Sequence, residues 1–208
     1  MPPKFKFTKD EIVNAAVEVV RERGVGALRA KDIAEKLGVS TQPVFTCFST
    51  MAEAKREVYF AAARIYKSCV EKGLSERIPF FGFGMAYIRF AKSEPELYKL
   101  LFFTPSSVTG DGAYAAMLSM NDKVIPSIKK TYNLSDAEAE RLYRDMWLVV
   151  HSIATLSVTE NLDFSDDEIS KILTGFCVSI VKSIKEIDGF IGGTFNRDEV
   201  FKKILKLN

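Results

Sequence analysis

The sequence predicts an all-α protein: an N-terminal three-helix unit with a helix-turn-helix, then a larger C-terminal helical domain. Three observations carry that prediction. A Ser/Thr-x-x-Glu capping pattern stands before five apolar runs, each run keeps three- and four-residue spacing, and no period-two alternation or Asn-Gly hairpin turn occurs. The composition agrees, since 208 residues with 47% hydrophobic and 27% charged side chains have the balance of a folded globule. That length suits one large domain or two small ones.

The first helix, 8–23, opens at Thr8-Lys9-Asp10-Glu11, where the Thr hydroxyl accepts from the Glu amide and the Glu carboxylate reaches back. Phe7 and Ile12 flank the cap as a hydrophobic staple, Ile12, Ala16, Val19 and Val20 share one face, and Gly24 ends the helix. Two short helices follow at 30–37 and 41–47. Ile33, Ala34 and Leu37 form the apolar face of the first, Gly38 terminates it, and Val39 fills the corner. Ser40 is placed to cap the second, Pro43 falls in its first turn, and Val44, Phe45 and Phe48 turn back into the same core. A long helix at 51–72 begins with a box from Thr50 to Glu53 and carries the stripe Ala54, Val58, Ala61, Ile65 and Cys69.

Beyond it, the helix at 79–92 contains Gly82 and Gly84, which imply either close helix packing or a soft helix. The next, 94–103, is opened by a box from Ser93 to Glu96. A helix at 113–131 is kinked by Pro126. Two long helices, 135–160 and 165–187, begin with boxes at Ser135 and Ser165, and a short one occupies 197–206. Thr104–Gly112 is a long loop and Gly189–Thr194 a flexible break.

Several function classes are excluded early. Three scattered cysteines and one histidine give no disulfide framework, metal site or cofactor motif. No paired carboxylates or nucleophile–base pattern suggests an enzyme. The start, MPPKFKFTKDE, lacks the apolar core of a secretory signal, and the stretch Trp147–Val158 is too short to span a bilayer. A cytoplasmic protein without membrane contact is expected. The charge is uneven: residues 1–56 hold ten Lys/Arg against seven Asp/Glu, whereas 57–208 hold nineteen against twenty. The basic excess therefore sits in the first quarter, which is compatible with a polyanionic partner and equally with a solvated surface.

Two short helices joined by a Gly-containing turn form the helix-turn-helix unit, which lays its second helix in the major groove of DNA. Its outward positions are Thr41, Gln42 and Thr46, and Gln42 suits a bidentate contact to adenine. Arg29, Lys31 and Thr50 are placed to hold phosphates. On spacing alone, one more helical pair in a helical core explains the pattern equally well.

Residues 8–60 resemble the N-terminal domain of the tetracycline-repressor (TetR) family of transcription regulators. The features that carry this are the first helix ending at Gly24, the pair Ile33-Ala34, the run Gly38-Val39-Ser40, and aromatics at Phe45 and Phe48. The resemblance implies that 41–47 is a recognition helix, with Pro43 and Phe45 also at the DNA, and that a homodimer grips a near-palindromic operator. Residues 1–50 are then the DNA-binding domain and 51–208 an effector-binding and dimerising domain. The chain departs from the family at Phe45, where a Tyr usually offers a hydroxyl to phosphate, at Pro43 and Cys47, and at Met51, where a Lys is usual. Tyr87–Phe103 and Trp147–Thr155 are similar to a regulatory-domain subtype with a Trp…His-Gly signature, in which Ser152 replaces the Gly.

The function expected is a ligand-responsive repressor released by a small apolar effector. The inward-facing candidates for contacting it are Phe83, Tyr87, Phe90, Phe103, Met117, Met120, Trp147 and His151, each of which also serves as plain core packing. Arg89, Lys92 and Lys123 fall on solvent faces. Dimerisation is expected through helices 135–160 and 165–187, by way of Leu148, Ile153, Leu156, Ile169, Ile172, Phe176, Ile180 and Ile184. A helical small-molecule carrier without a DNA role is the alternative.

Overall fold

The computed structural model describes residues 7–104, 112–160 and 162–206. Eleven α-helices and no strand occur among them: α1 (Lys9–Arg23), α2 (Ala30–Leu37), α3 (Gln42–Cys47), α4 (Met51–Gly73), α5 (Pro79–Ser93), α6 (Pro95–Phe102), α7 (Ala113–Leu118), α8 (Asn121–Tyr132), α9 (Asp136–Thr159), α10 (Asp166–Glu186) and α11 (Arg197–Leu205). The all-α class stands. They fall into two compact units, one from Met1–Glu71 and Arg89–Ser119, the other from Lys72–Ile88 and Met120–Asn208.

In the first unit α1 packs against α2, α3 and α6. It is buried almost all round, with Ile12, Ala16, Val19 and Val20 at its centre. Its N-terminus carries the expected box: the Glu11 amide donates to Thr8 Oγ1 at 3.2 Å, and the Thr8 amide to the Glu11 carboxylate at 2.7 Å. The box expected at Ser93 does not form. The Ser93 hydroxyl turns back to the Phe90 carbonyl, Glu96 accepts from Lys99 at 2.6 Å, and Glu94, which takes the N-cap position, is gripped by Arg21 with contacts of 2.8 and 2.7 Å.

The second unit packs α9 against α8 and α10, with the boxes at Ser135 and Ser165 both formed. Gly82 resolves the choice between close packing and softness. A Cβ on it would lie 2.2 Å from the Gly73 carbonyl oxygen, so the end of α4 and the start of α5 cross backbone to backbone. Gly84 likewise faces Leu173 and Val150.

Three further expectations change. The single helix at 113–131 is two helices, and the break lies at Ser119–Met120, where the Ser119 hydroxyl donates to the Ala116 carbonyl. Pro126 is accommodated inside α8. Gly189–Thr194 is a closed turn rather than a loose break: Gly189 and Gly193 take positive φ, and the Thr194 amide donates to the Gly189 carbonyl at 3.0 Å. Within the expected loop Thr104–Gly112, residues 105–111 lie outside the described residues.

Candidate nucleic-acid interface and ligand cavity

The interface begins with the turn after α2. Gly38 adopts a left-handed conformation (φ 65°), and the Val39 amide donates to the Ala34 carbonyl at 3.0 Å. That closure reverses the chain over four residues and starts α3 at Thr41, one residue later than the expected cap at Ser40; the Thr41 side chain makes no cap bond. Six residues are too few for a helix to persist alone. α3 is held because Val44 and Phe48 are fully buried, each worth roughly 1.5–3 kcal/mol in the usual range for such side chains. Phe45 does not join them. It is 57% exposed, because Val44 already occupies the inward position and the next residue is turned about 100° away.

The outer face thus consists of Thr41, Gln42, Phe45 and Thr46, around a shallow depression that also includes Ser40. The Thr46 hydroxyl donates to the Gln42 carbonyl at 2.8 Å, which leaves its oxygen only as an acceptor. Pro43 is half-buried in the first turn. Thr50 caps α4 by accepting from the Glu53 amide, while Glu53 itself accepts from the Ser49 amide, one residue upstream of the expected partner.

Charge on this unit is sorted. Arg23 pairs with Asp32, Lys36 with Glu22, Arg21 with Glu94, and Lys9 with Glu57. Arg29 and Lys31, at the mouth of α2, are exposed and make no ion pair among the described residues. Cations left unpaired beside a polar helix face are available to an anionic partner.

The second unit contains a cavity of about 420 Å³. Phe80, Phe83, Met146, Trp147, Val150 and Leu173 supply most of its wall, and Lys182, Lys185 and Glu186 lie at its rim. Tyr132 and Cys177 meet on the lining, the thiol 3.4 Å from the phenol oxygen. Burial pushes the Tyr132 and Tyr143 phenols and the Cys177 thiol above their ordinary values, so all three stay neutral. Behind the wall Trp147 stacks on His151 with centroids 4.7 Å apart, and the Tyr87 hydroxyl lies 2.9 Å from His151 Nδ1.

Of the eight residues expected at an effector, Phe83 and Trp147 lie on the cavity wall, with Tyr87 and His151 next to Trp147. Met120 is buried in the same unit but not on that wall. Phe90, Met117 and Phe103 belong to the first unit, and Phe103 is exposed. Sequence reasoning missed Leu173, Cys177 and Val181, which line the cavity from α10. Their spacing of four is a readable signal, but it is merged in sequence with the apolar excess of the same helix that is expected at a dimer. The dimer set also divides: Ile153, Ile169 and Ile184 are core, whereas Leu148, Leu156 and Phe176 are exposed.

Residues 80–174 match the family model described as "Tetracyclin repressor-like, C-terminal domain". Among solved structures, a TetR-like transcriptional regulator from Rhodococcus sp. RHA1 shares the fold, with a TM-score of 0.60 and 12% identity, over 86% of this chain and 96% of that one. No curated protein matches the sequence. Residues 80–174 are thus similar to the C-terminal domain of tetracycline-repressor-like proteins, and the solved structure shares the all-α fold.

His151 gives the second unit a pH signature. Burial holds its pKa below the ordinary 6.5, so the unfolded chain binds the proton more readily. The stability this contributes is fully present above pH 6.5 and is lost as pH falls toward the folded value. His151→Phe, which keeps a ring against Trp147, should therefore lose less stability than wild type between pH 7 and 5 in urea unfolding. Equal losses would contradict a neutral, half-buried His151.

Proposed function

We propose that the chain is a ligand-responsive repressor that grips a near-palindromic operator as a homodimer and leaves it when a small apolar effector fills the cavity. The observation that carries the reading is the outer face of α3: Thr41, Gln42 and Thr46 are presented to solvent on a helix held by Val44 and Phe48. An amide carries the paired donor and acceptor that adenine offers in the major groove, and Arg29 and Lys31 supply phosphate contacts. Residues 1–50 are the DNA-binding domain and 51–208 the regulatory one. The carrier alternative accounts for the cavity and leaves the α3 face, with the exposed Arg29 and Lys31, without a purpose.

In a gel shift with duplexes selected from genomic DNA, Lys31→Ala should weaken every sequence alike and reduce the salt dependence. Gln42→Ala should cost roughly 1–3 kcal/mol at one base position and leave the others unchanged. An unaltered sequence preference would remove Gln42 as a reader.

The dimer is proposed to form through α9 and α10. Leu148, Leu156 and Phe176 are exposed there, and the Ser152, Ser179 and Ser183 hydroxyls are already spent on their own helix carbonyls, so these faces can pack without stranding polar groups. Paired across a two-fold, the helices make a four-helix bundle. Phe176→Lys should give monomers by light scattering and abolish operator binding, since half-sites about 34 Å apart need two recognition helices. A dimer that survives this change and Ile180→Lys places the interface elsewhere.

Effector binding is proposed to bias α4, whose last residue, Gly73, packs on Gly82 two residues before the cavity lining at Gly84, and so to alter the spacing of the two recognition helices. Trp147 is the only tryptophan and lies on the cavity wall, so its emission reports occupancy directly. Titration with hydrophobic dyes should shift that emission and release DNA in parallel. Release by a small polar acid with constant emission would contradict both the apolar pocket and its location.

A further inference from the structure

We propose that Phe45 reads thymine: its ring packs on the C5-methyl group of one thymine in each half-site and fixes a base that the polar side chains of α3 leave unread. This rests on the DNA-binding reading above. Phe45 is the one large apolar group on the outer face of α3, more than half exposed, and it takes no part in the core that Val44 and Phe48 fill. A phenyl ring has no donor or acceptor, so it can neither hold a phosphate nor pair with a polar base edge. In the major groove the apolar feature open to it is the thymine methyl. The neighbouring charge suits this occupant, because Arg29 and Lys31 are exposed cations without ion partners among the described residues.

The register follows from helix geometry. Gln42 and Phe45 are three residues apart and so share a face at about 5–6 Å. Stacked bases rise about 3.4 Å. The two contacts therefore fall one or two base pairs apart, and the operator half-site carries an adenine read by Gln42 with a thymine methyl one or two steps away.

The test is a uracil scan, which removes the methyl and nothing else. A duplex is enriched from a random-sequence pool by the full-length protein, each thymine is replaced in turn by deoxyuridine, and affinities are measured for wild type and Phe45→Ala. Wild type should lose about four-fold at one thymine per half-site, the effect of one buried methyl. Phe45→Ala should bind the parent duplex more weakly and show no loss at that thymine, with an unchanged thermal midpoint because the ring is exposed. Indifference of wild type to uracil at every position, or identical uracil profiles for the two proteins, overturns the Phe45 contact while leaving DNA binding intact. A pool from which no duplex is enriched overturns the DNA-binding reading, and the Phe45 contact with it.

Discussion

Burial of Val44 and Phe48 is the constraint on which the outer face of α3, the proposed DNA-binding surface, depends. α3 has six residues, no side-chain cap and no ion pair of its own among the described residues, so its conformation is a tertiary product. Fixing two inward side chains four positions apart fixes the helix rotation, and that decides which residues face out. Thr41, Gln42, Phe45 and Thr46 are presented because Val44 and Phe48 are not. Gly38 has the matching role upstream: its left-handed backbone turns the chain so that α3 reaches α1 and α2 at all.

Much of this was legible in the sequence. Thr8, Ser135 and Ser165 head boxes that close as expected, because a capping box is local and its partners are three residues apart. Gly38 was legible for the same reason. The box at Ser93 was not: its acid, Glu96, pairs with Lys99, and Glu94, which takes the cap position, is held by Arg21, 73 positions away in sequence, which no local pattern reveals. Phe45 was misplaced for a subtler cause. Three apolar residues in five positions satisfy an inward face equally well on paper, and only packing shows that Val44 and Phe48 fill it.

The second unit shows how one helix serves two surfaces. On α10, Leu173, Cys177 and Val181 fall at spacing four and line the cavity, while Phe176, Ser179 and Ser183 occupy an adjacent face. Hydrophobic counting along 165–187 registers both together and cannot divide them. The same holds for α9, where Met146, Trp147 and Val150 face inward and Leu148 and Leu156 outward. The Gly73–Gly82 crossing connects this unit's packing to the sequence directly, because no residue with a side chain fits either position.

The central claim, that the outer face of α3 is what meets DNA, is tested most directly by site-specific photo-crosslinking. Benzoylphenylalanine replaces Thr46 in one preparation and Phe201, an exposed residue of α11, in another, each mixed with a duplex enriched by the wild-type protein. The account predicts a crosslink to bases of the duplex from position 46 and none from position 201. A crosslink from 201 with none from 46 would contradict it.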